Sequence, residues 1–136
     1  MLDLRFIREH AQEVKTNVHR RQVDVDVDEL LRLDKERVSL LQETEELRRE
    51  RNAIAEQMKT ASAEARPTLI EQGKKIKELL AEKERVLDVR NEEVHALALR
   101  IPNMTHPDAP NGASDEDNKE IEVFGTVPAL SFKPLS

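Results

Sequence analysis

Residues 28–101, DELLRLDKERVSLLQETEELRRERNAIAEQMKTASAEARPTLIEQGKKIKELLAEKERVLDVRNEEVHALALRI, carry a heptad pattern whose reading decides the fold. Leu30, Leu33, Arg37, Leu40, Thr44, Leu47, Arg51, Ile54, Met58 and Ala61 step alternately by three and four, the spacing of a coiled-coil seam. Leu69, Gly73, Ile76, Leu80, Lys83, Leu87, Arg90, Val94, Leu97 and Ile101 form a second ladder. Between the two, Ala61 and Leu69 are eight residues apart, so the register slips. Pro67 lies in the slip and argues against a single rod, because proline removes a backbone donor and clashes with the preceding turn in a helix interior. The pattern therefore predicts an antiparallel helical hairpin over 27–101 with its tip at about 62–67. Folding the ladders back pairs Ala61 with Leu69, Ile54 with Ile76, Leu47 with Lys83, Leu33 with Leu97 and Leu30 with Ile101. No layer pairs two polar residues, and each long cation faces an aliphatic partner along which its methylenes can lie. A parallel homodimer would instead stack Arg37 on Arg37 and Arg51 on Arg51.

The fold class expected is all-α: this hairpin, a short N-terminal helix packed at its base and an extended C-terminal tail. Of the 136 residues, 37% are charged and 2% aromatic, which is too polar for a large globular core and suits an extended helical body. With no cysteine, disulfides and thiolate metal sites are excluded, as suits a reducing compartment. No apolar run is long enough to span a bilayer, and the N-terminus lacks the basic-then-apolar order of a secretory signal. A soluble, cytoplasmic protein with no membrane and no DNA partner is expected. The net charge of −6 is unevenly spread: residues 1–27 are neutral, 28–47 carry −4, 48–77 carry +4, 78–101 carry −2 and 102–136 carry −4. The outer half of the folded rod is thus cationic while its foot and tail are anionic, and such an end invites a polyanion.

Ahead of the hairpin, Asp3 is an N-cap, and Leu2 with Ile7 forms a hydrophobic staple. Leu4, Ile7, Ala11, Val14 and Val18 then make one apolar stripe over about four helical turns. That stripe has only the hairpin base to pack against, around Leu30, Leu31, Leu33, Leu97, Leu99 and Ile101. Val23, Val25 and Val27 alternate with aspartates in an extended link, after which Asp26 with Glu29 gives a capping box and Val25 with Leu30 a second staple. The first long helix should run from about Val27 to Ala61, on the order of 50 Å, and the second from about Thr68 to Arg100. Beyond Ile101, the prolines Pro102, Pro107 and Pro110 with Asn111 and Gly112 favour an extended strap. Ile121–Phe124 alternates like a strand ended by Gly125, with no second strand to pair with. The domain expectation is a helical arm over 1–101 and a linker over 102–136.

In this order of parts the chain resembles the N-terminal region of the seryl-tRNA synthetases, a class II aminoacyl-tRNA synthetase family. The residues that carry the resemblance are Met1-Leu2-Asp3-Leu4 with Ile7-Arg8-Glu9, Val23-Asp24-Val25-Asp26 before Leu30-Leu31, and Arg51-Asn52. After the arm come Ile101-Pro102-Asn103, His106-Pro107, Pro110 with Gly112, Asp117-Asn118 and Phe132-Lys133-Pro134. His10-Ala11 departs from the Asn-Pro of many members and should leave the first helix less broken. The resemblance implies that the hairpin is a tRNA-binding arm reaching the variable arm and elbow of serine tRNA. It implies further that a catalytic domain using ATP, Mg and serine follows Pro134, and that the parent is a homodimer built mainly through that domain. None of the catalytic motifs can be placed here, so this chain alone is not expected to be an enzyme. It has no cofactor of its own, and as a fragment it should be monomeric.

Structured RNA is held mainly through phosphates and 2′-hydroxyls, so cations and shape suffice and aromatic stacking is not required. The candidate tRNA-binding residues are Arg48, Arg49, Lys59, Arg66, Lys74, Lys75 and Lys77, all off the apolar seam and all in the distal half. A plainer reading makes them a solvated helical face partnered by Glu50, Glu56, Glu71 and Glu78. Arg37, Arg51, Lys83 and Arg90 lie in the seam and are assigned to fixing register and orientation. His10, His19, His95 and His106 are scattered without a second ligand at helical spacing, so no metal site is expected. No catalytic site is expected either, since the sequence has no glycine-rich phosphate loop and no nucleophile–base arrangement. Two competing readings stand beside the tRNA arm: a structural, oligomerising coiled-coil protein, and a fragment of a full ligase.

Overall fold

The computed structural model describes residues 1–112 and 114–126. Within them the chain divides into two units, Met1–Met104 and a second beginning at Thr105. The first unit is helical: α1 (Leu4–Glu9), α2 (Ala11–Arg20), α3 (Val27–Thr60) and α4 (Arg66–Arg100). α3 and α4 pack on each other as an antiparallel hairpin. No helix among the described residues is long and apolar enough to cross a membrane.

The predicted seam is the observed one. Of the twenty ladder positions, all but Arg51 are buried or half-buried, whereas most other positions on α3 and α4 are exposed. The seam cations place their charges on acidic neighbours at its edge. Lys83 Nζ meets Glu43 at 2.6 Å, Arg90 meets Glu36 at 3.3 Å as well as Glu93, and Arg37 meets Asp34 at 2.7 Å. Thr44 is wholly buried because its hydroxyl donates to the Leu41 carbonyl at 2.8 Å, which satisfies its one donor locally.

Two boundaries differ from the sequence reading. α4 starts at Arg66, so Pro67 lies inside its first turn, where a missing N–H costs nothing. The link narrows accordingly to Ala61–Ala65, with the Ser62 carbonyl accepting from the N–H groups of Ala65 and Arg66. The N-terminal helix, expected to be less broken, is interrupted at His10, whose φ of −123° and ψ of 35° leave the helical region. His10 still donates its N–H to the Phe6 carbonyl, and its own carbonyl accepts from Val14, so α2 restarts on the residue that ends α1. The His10 ring stacks on Phe6 with centroids 4.5 Å apart. With the bend in place, Ile7 and Val14 both reach zero exposure.

Capping follows the sequence in part. Asp3 accepts from Arg5 N–H, and Asp26 accepts from the N–H groups of Asp28 and Glu29. The Glu29 carboxylate turns to Arg32 instead of closing a reciprocal box. α2 ends in a Schellman arrangement: Val23 N–H bonds to the Val18 carbonyl, Gln22 N–H bonds to that of His19, and Gln22 takes the left-handed φ of 52°.

The core sits at the foot of the hairpin, where Ile7, Val14 and Val18 meet Val27, Leu30, Leu33, Val94, Ala98 and Ile101. Polar links reinforce it. Lys15 pairs with Asp28 at 2.6 Å, Arg100 donates to the Asp24 carbonyl, and the buried Asn17 amide donates to the Asn103 carbonyl at 3.2 Å. In the second unit, Ser114 caps a single 3₁₀ turn at Asp115–Asp117. Gly112 approaches Asp117 so closely that a Cβ there would lie 2.1 Å from its neighbour's. Ile121–Phe124 forms no strand and leaves Ile121 and Phe124 almost fully exposed. Phe132-Lys133-Pro134 lies outside the described residues.

Candidate nucleic-acid interface

The seven candidate cations occupy the distal half of the hairpin, Arg48, Arg49 and Lys59 on α3 and Arg66, Lys74, Lys75 and Lys77 on α4, and all are exposed. Three are already paired: Arg48 with Glu84 of the facing helix at 2.7 Å, Lys59 with Glu56 at 2.7 Å, and Lys75 with Glu71 at 2.7 Å. Arg49, Arg66, Lys74 and Lys77 make no ion pair among the described residues. Exposed pairs of this kind contribute little to stability and separate readily when a stronger anion arrives.

Heptad phase sorts these side chains by direction. With Leu30 as position a, Arg37, Thr44, Arg51 and Met58 are also a, and on α4 Gly73, Leu80, Leu87, Val94 and Ile101 are a. In an antiparallel pair the e positions of the two helices share one edge of the seam and the g positions share the other. Arg48 and Glu84 are both e, and their contact fixes that edge. Lys77 is e, Lys74 and Lys59 are the adjacent b, and Arg51, at a, leans the same way. Arg51 escapes the seam altogether, donating to Asn52 Oδ1 at 3.3 Å on this side. Arg49 and Lys75, at f and c, point elsewhere. The g edge carries Glu43 and Glu50 together with the exposed Leu79 and Val86.

Toward the foot the e edge is filled by α1. Asp34, another e residue, is 1% exposed and accepts from Arg8 at 2.5 Å and from Arg37 at 2.9 and 2.7 Å. No sequence pattern flagged this network, since an aspartate four residues past Leu30 reads as solvated until α1 covers it. Arg51, Asn52 and Glu84 were likewise missed as parts of the surface, although the letter e shared by Arg48 and Glu84 was a legible signal. On the g edge, Lys83 hydrogen-bonds Glu43 and holds its carboxyl below the usual carboxylate range. Near the foot, Arg32 does the same to Glu29. Among the described residues no group of three or more His, Asp or Glu is placed to hold a metal ion. The arrangement offers a polyanion an exposed, cationic, non-aromatic edge.

The seryl-tRNA synthetase N-terminal domain profile matches residues 1–105. The chain belongs to that family. Against the serine-tRNA ligase of Treponema pallidum (strain Nichols) it is 44% identical over 135 residues, covering 98% of this chain and 32% of the relative. Against that of Rubrobacter xylanophilus it is 41% identical with the same coverage. The seryl-tRNA synthetase of Pyrococcus horikoshii, in a crystal structure complexed with ATP, superposes with a TM-score of 0.73 at 32% identity, over 86% of this chain and 27% of that one. The chain thus spans about a third of the length of the ligases it resembles. The two-helix hairpin is this seryl-tRNA synthetase N-terminal domain's most extended part, and its charged edge lies on the half farthest from the core.

Proposed function

We propose that this chain is the tRNA-binding arm of a serine-tRNA ligase, recognising the variable arm and elbow of serine tRNA and orienting it for a catalytic domain. That domain binds ATP, Mg and serine and supplies the adenylation and transfer chemistry. Within this chain the residues hold and orient RNA. The observation that carries the reading is the concentration of exposed cations on the distal half of a hairpin from this family, over an acidic foot. Arg48, Arg49, Lys59, Arg66, Lys74, Lys75 and Lys77 are the contact candidates. The whole ligase acts in the cytoplasm as a homodimer joined through its catalytic domains, and the arm by itself is monomeric.

Binding through phosphates releases counterions, so the affinity of the isolated arm should be modest and fall steeply with salt. Replacing Lys74, Lys75 and Lys77 together by Glu should weaken serine tRNA binding by about tenfold or more at low salt and flatten the salt slope. Unchanged affinity with an unchanged slope would remove the distal half from the mechanism. A structural coiled-coil role has one observation in its favour, the exposed Leu79, Val86 and Val89 along one side of α4. A mass that grows with concentration and ignores tRNA would support it, whereas a monomer that binds tRNA supports the arm.

A further inference from the structure

The hairpin has two long edges of opposite character. In its distal half the e edge gathers Arg48, Arg51, Lys74 and Lys77, with the small Ala55 opposite Lys77 where a carboxylate could have stood. The g edge places Glu43 and Glu50 beside the exposed Leu79 and Val86, and its cation Lys83 is held by Glu43, so among the described residues it presents phosphate with negative charge and no unpaired cation. Toward the foot the e edge is closed by α1 through Arg8 and Asp34, so a backbone lying along it has a defined stop. Among the described residues of the distal half, the carboxylate at an e position is the half-buried Glu84, which reaches across the seam to engage Arg48 through both Nε (3.2 Å) and Nη2 (2.7 Å).

Resting on the reading of the chain as an RNA-binding arm, we infer that RNA is held on the e edge alone, and that Glu84 is a built-in competitor occupying Arg48 until a phosphate displaces it. Arg49 and Lys75 then act only through the general field. Glu84 serves two ends by its position. Without RNA it neutralises a guanidinium at the middle of the arm; with RNA its displacement charges a fixed cost against every bound backbone, which keeps release fast.

Two pairs of substitutions, each changing the charge by the same amount, separate the edges. Binding of a serine tRNA transcript to the 136-residue chain is titrated at two salt concentrations. Lys74→Glu with Lys77→Glu should lose about tenfold or more in affinity and flatten the salt slope, while Arg49→Glu with Lys75→Glu should lose about threefold or less. Equal losses from both pairs would overturn the one-edge assignment yet leave RNA binding standing. No loss from either pair would overturn RNA binding by the arm itself. Glu84→Gln should tighten binding by about two- to fivefold and steepen the slope by about one. The same change at Glu78, which points away from the seam, should gain less, and the Glu84→Gln gain should vanish when Arg48→Gln is added. A Glu84→Gln protein that binds no tighter than Glu78→Gln would end the competitor role. The replaced side chains are exposed apart from the half-buried Glu84, and none belongs to the hydrophobic core, so helical content measured by circular dichroism should be the same throughout.

Discussion

Asp34 shows how much one side chain can depend on its surroundings. Its carboxylate is buried against Arg8 from α1 and Arg37 from its own helix, three hydrogen bonds satisfying one charge. Both arginines keep partial access to water, so they tolerate loss of the carboxylate better than a fully enclosed cation would. Asp34→Ala should therefore cost about 2 kcal/mol, the range of charged hydrogen bonds, read as a lower midpoint in thermal unfolding. It should also detach α1, seen as faster amide exchange over Leu4–Glu9. An unchanged midpoint would mean that the core residues Ile7 and Val14 hold the N-terminal helices without help. Arg51 makes the complementary point, since its place in the heptad favours burial but its long stem lets the guanidinium reach water and Asn52.

At the scale of the helices, the hairpin is weakest where its seam residues are smallest. Gly73 lies within α4, and a Cβ built there would sit 3.7 Å from Ile54 Cγ2, an ordinary contact. Gly73→Ala should therefore stabilise the chain by about 0.5–1 kcal/mol, from reduced backbone freedom in the unfolded state and added packing. A lower melting temperature would show that Ile54 cannot accommodate the added methyl group. The ion pairs that flank the apolar seam respond to pH. The Glu43 carboxyl lies below its ordinary value of 4.5 chiefly because Lys83 hydrogen-bonds it. A depressed folded-state pKa adds stability above the unfolded value, and that stability is lost as pH falls through the lowered one. The melting temperature should thus decline on acidification below about pH 4.5, and Lys83→Met should shrink that decline. An identical acid profile in the variant would show the pair to be without energetic effect.

Across the whole Met1–Met104 unit, stability is graded along the rod. Every member of the main hydrophobic cluster lies at the foot, and between Glu45 and Leu79 no residue is fully buried. Amide hydrogens near the link at Ala61–Ala65 should exchange fastest and those around Leu30, Leu33 and Val94 slowest. Uniform protection would require contacts along the arm that a two-helix hairpin lacks. Under the proposed RNA-binding role, a yielding distal half would let the cationic edge adjust to its ligand while the firm foot holds the base of the hairpin. The sequence determined the hairpin, its in-chain register and the separation of a cationic end from an acidic foot, because heptad spacing and charge order are properties of a one-dimensional string that any straight helix must display. Tertiary structure alone decided that the N-terminal helix bends at His10, that Asp34 is buried between two arginines, and that Arg48, Arg51, Lys74 and Lys77 share an edge which Glu84 enters. Each of those depends on which surface a second helix covers, and a pattern along one helix does not contain that information.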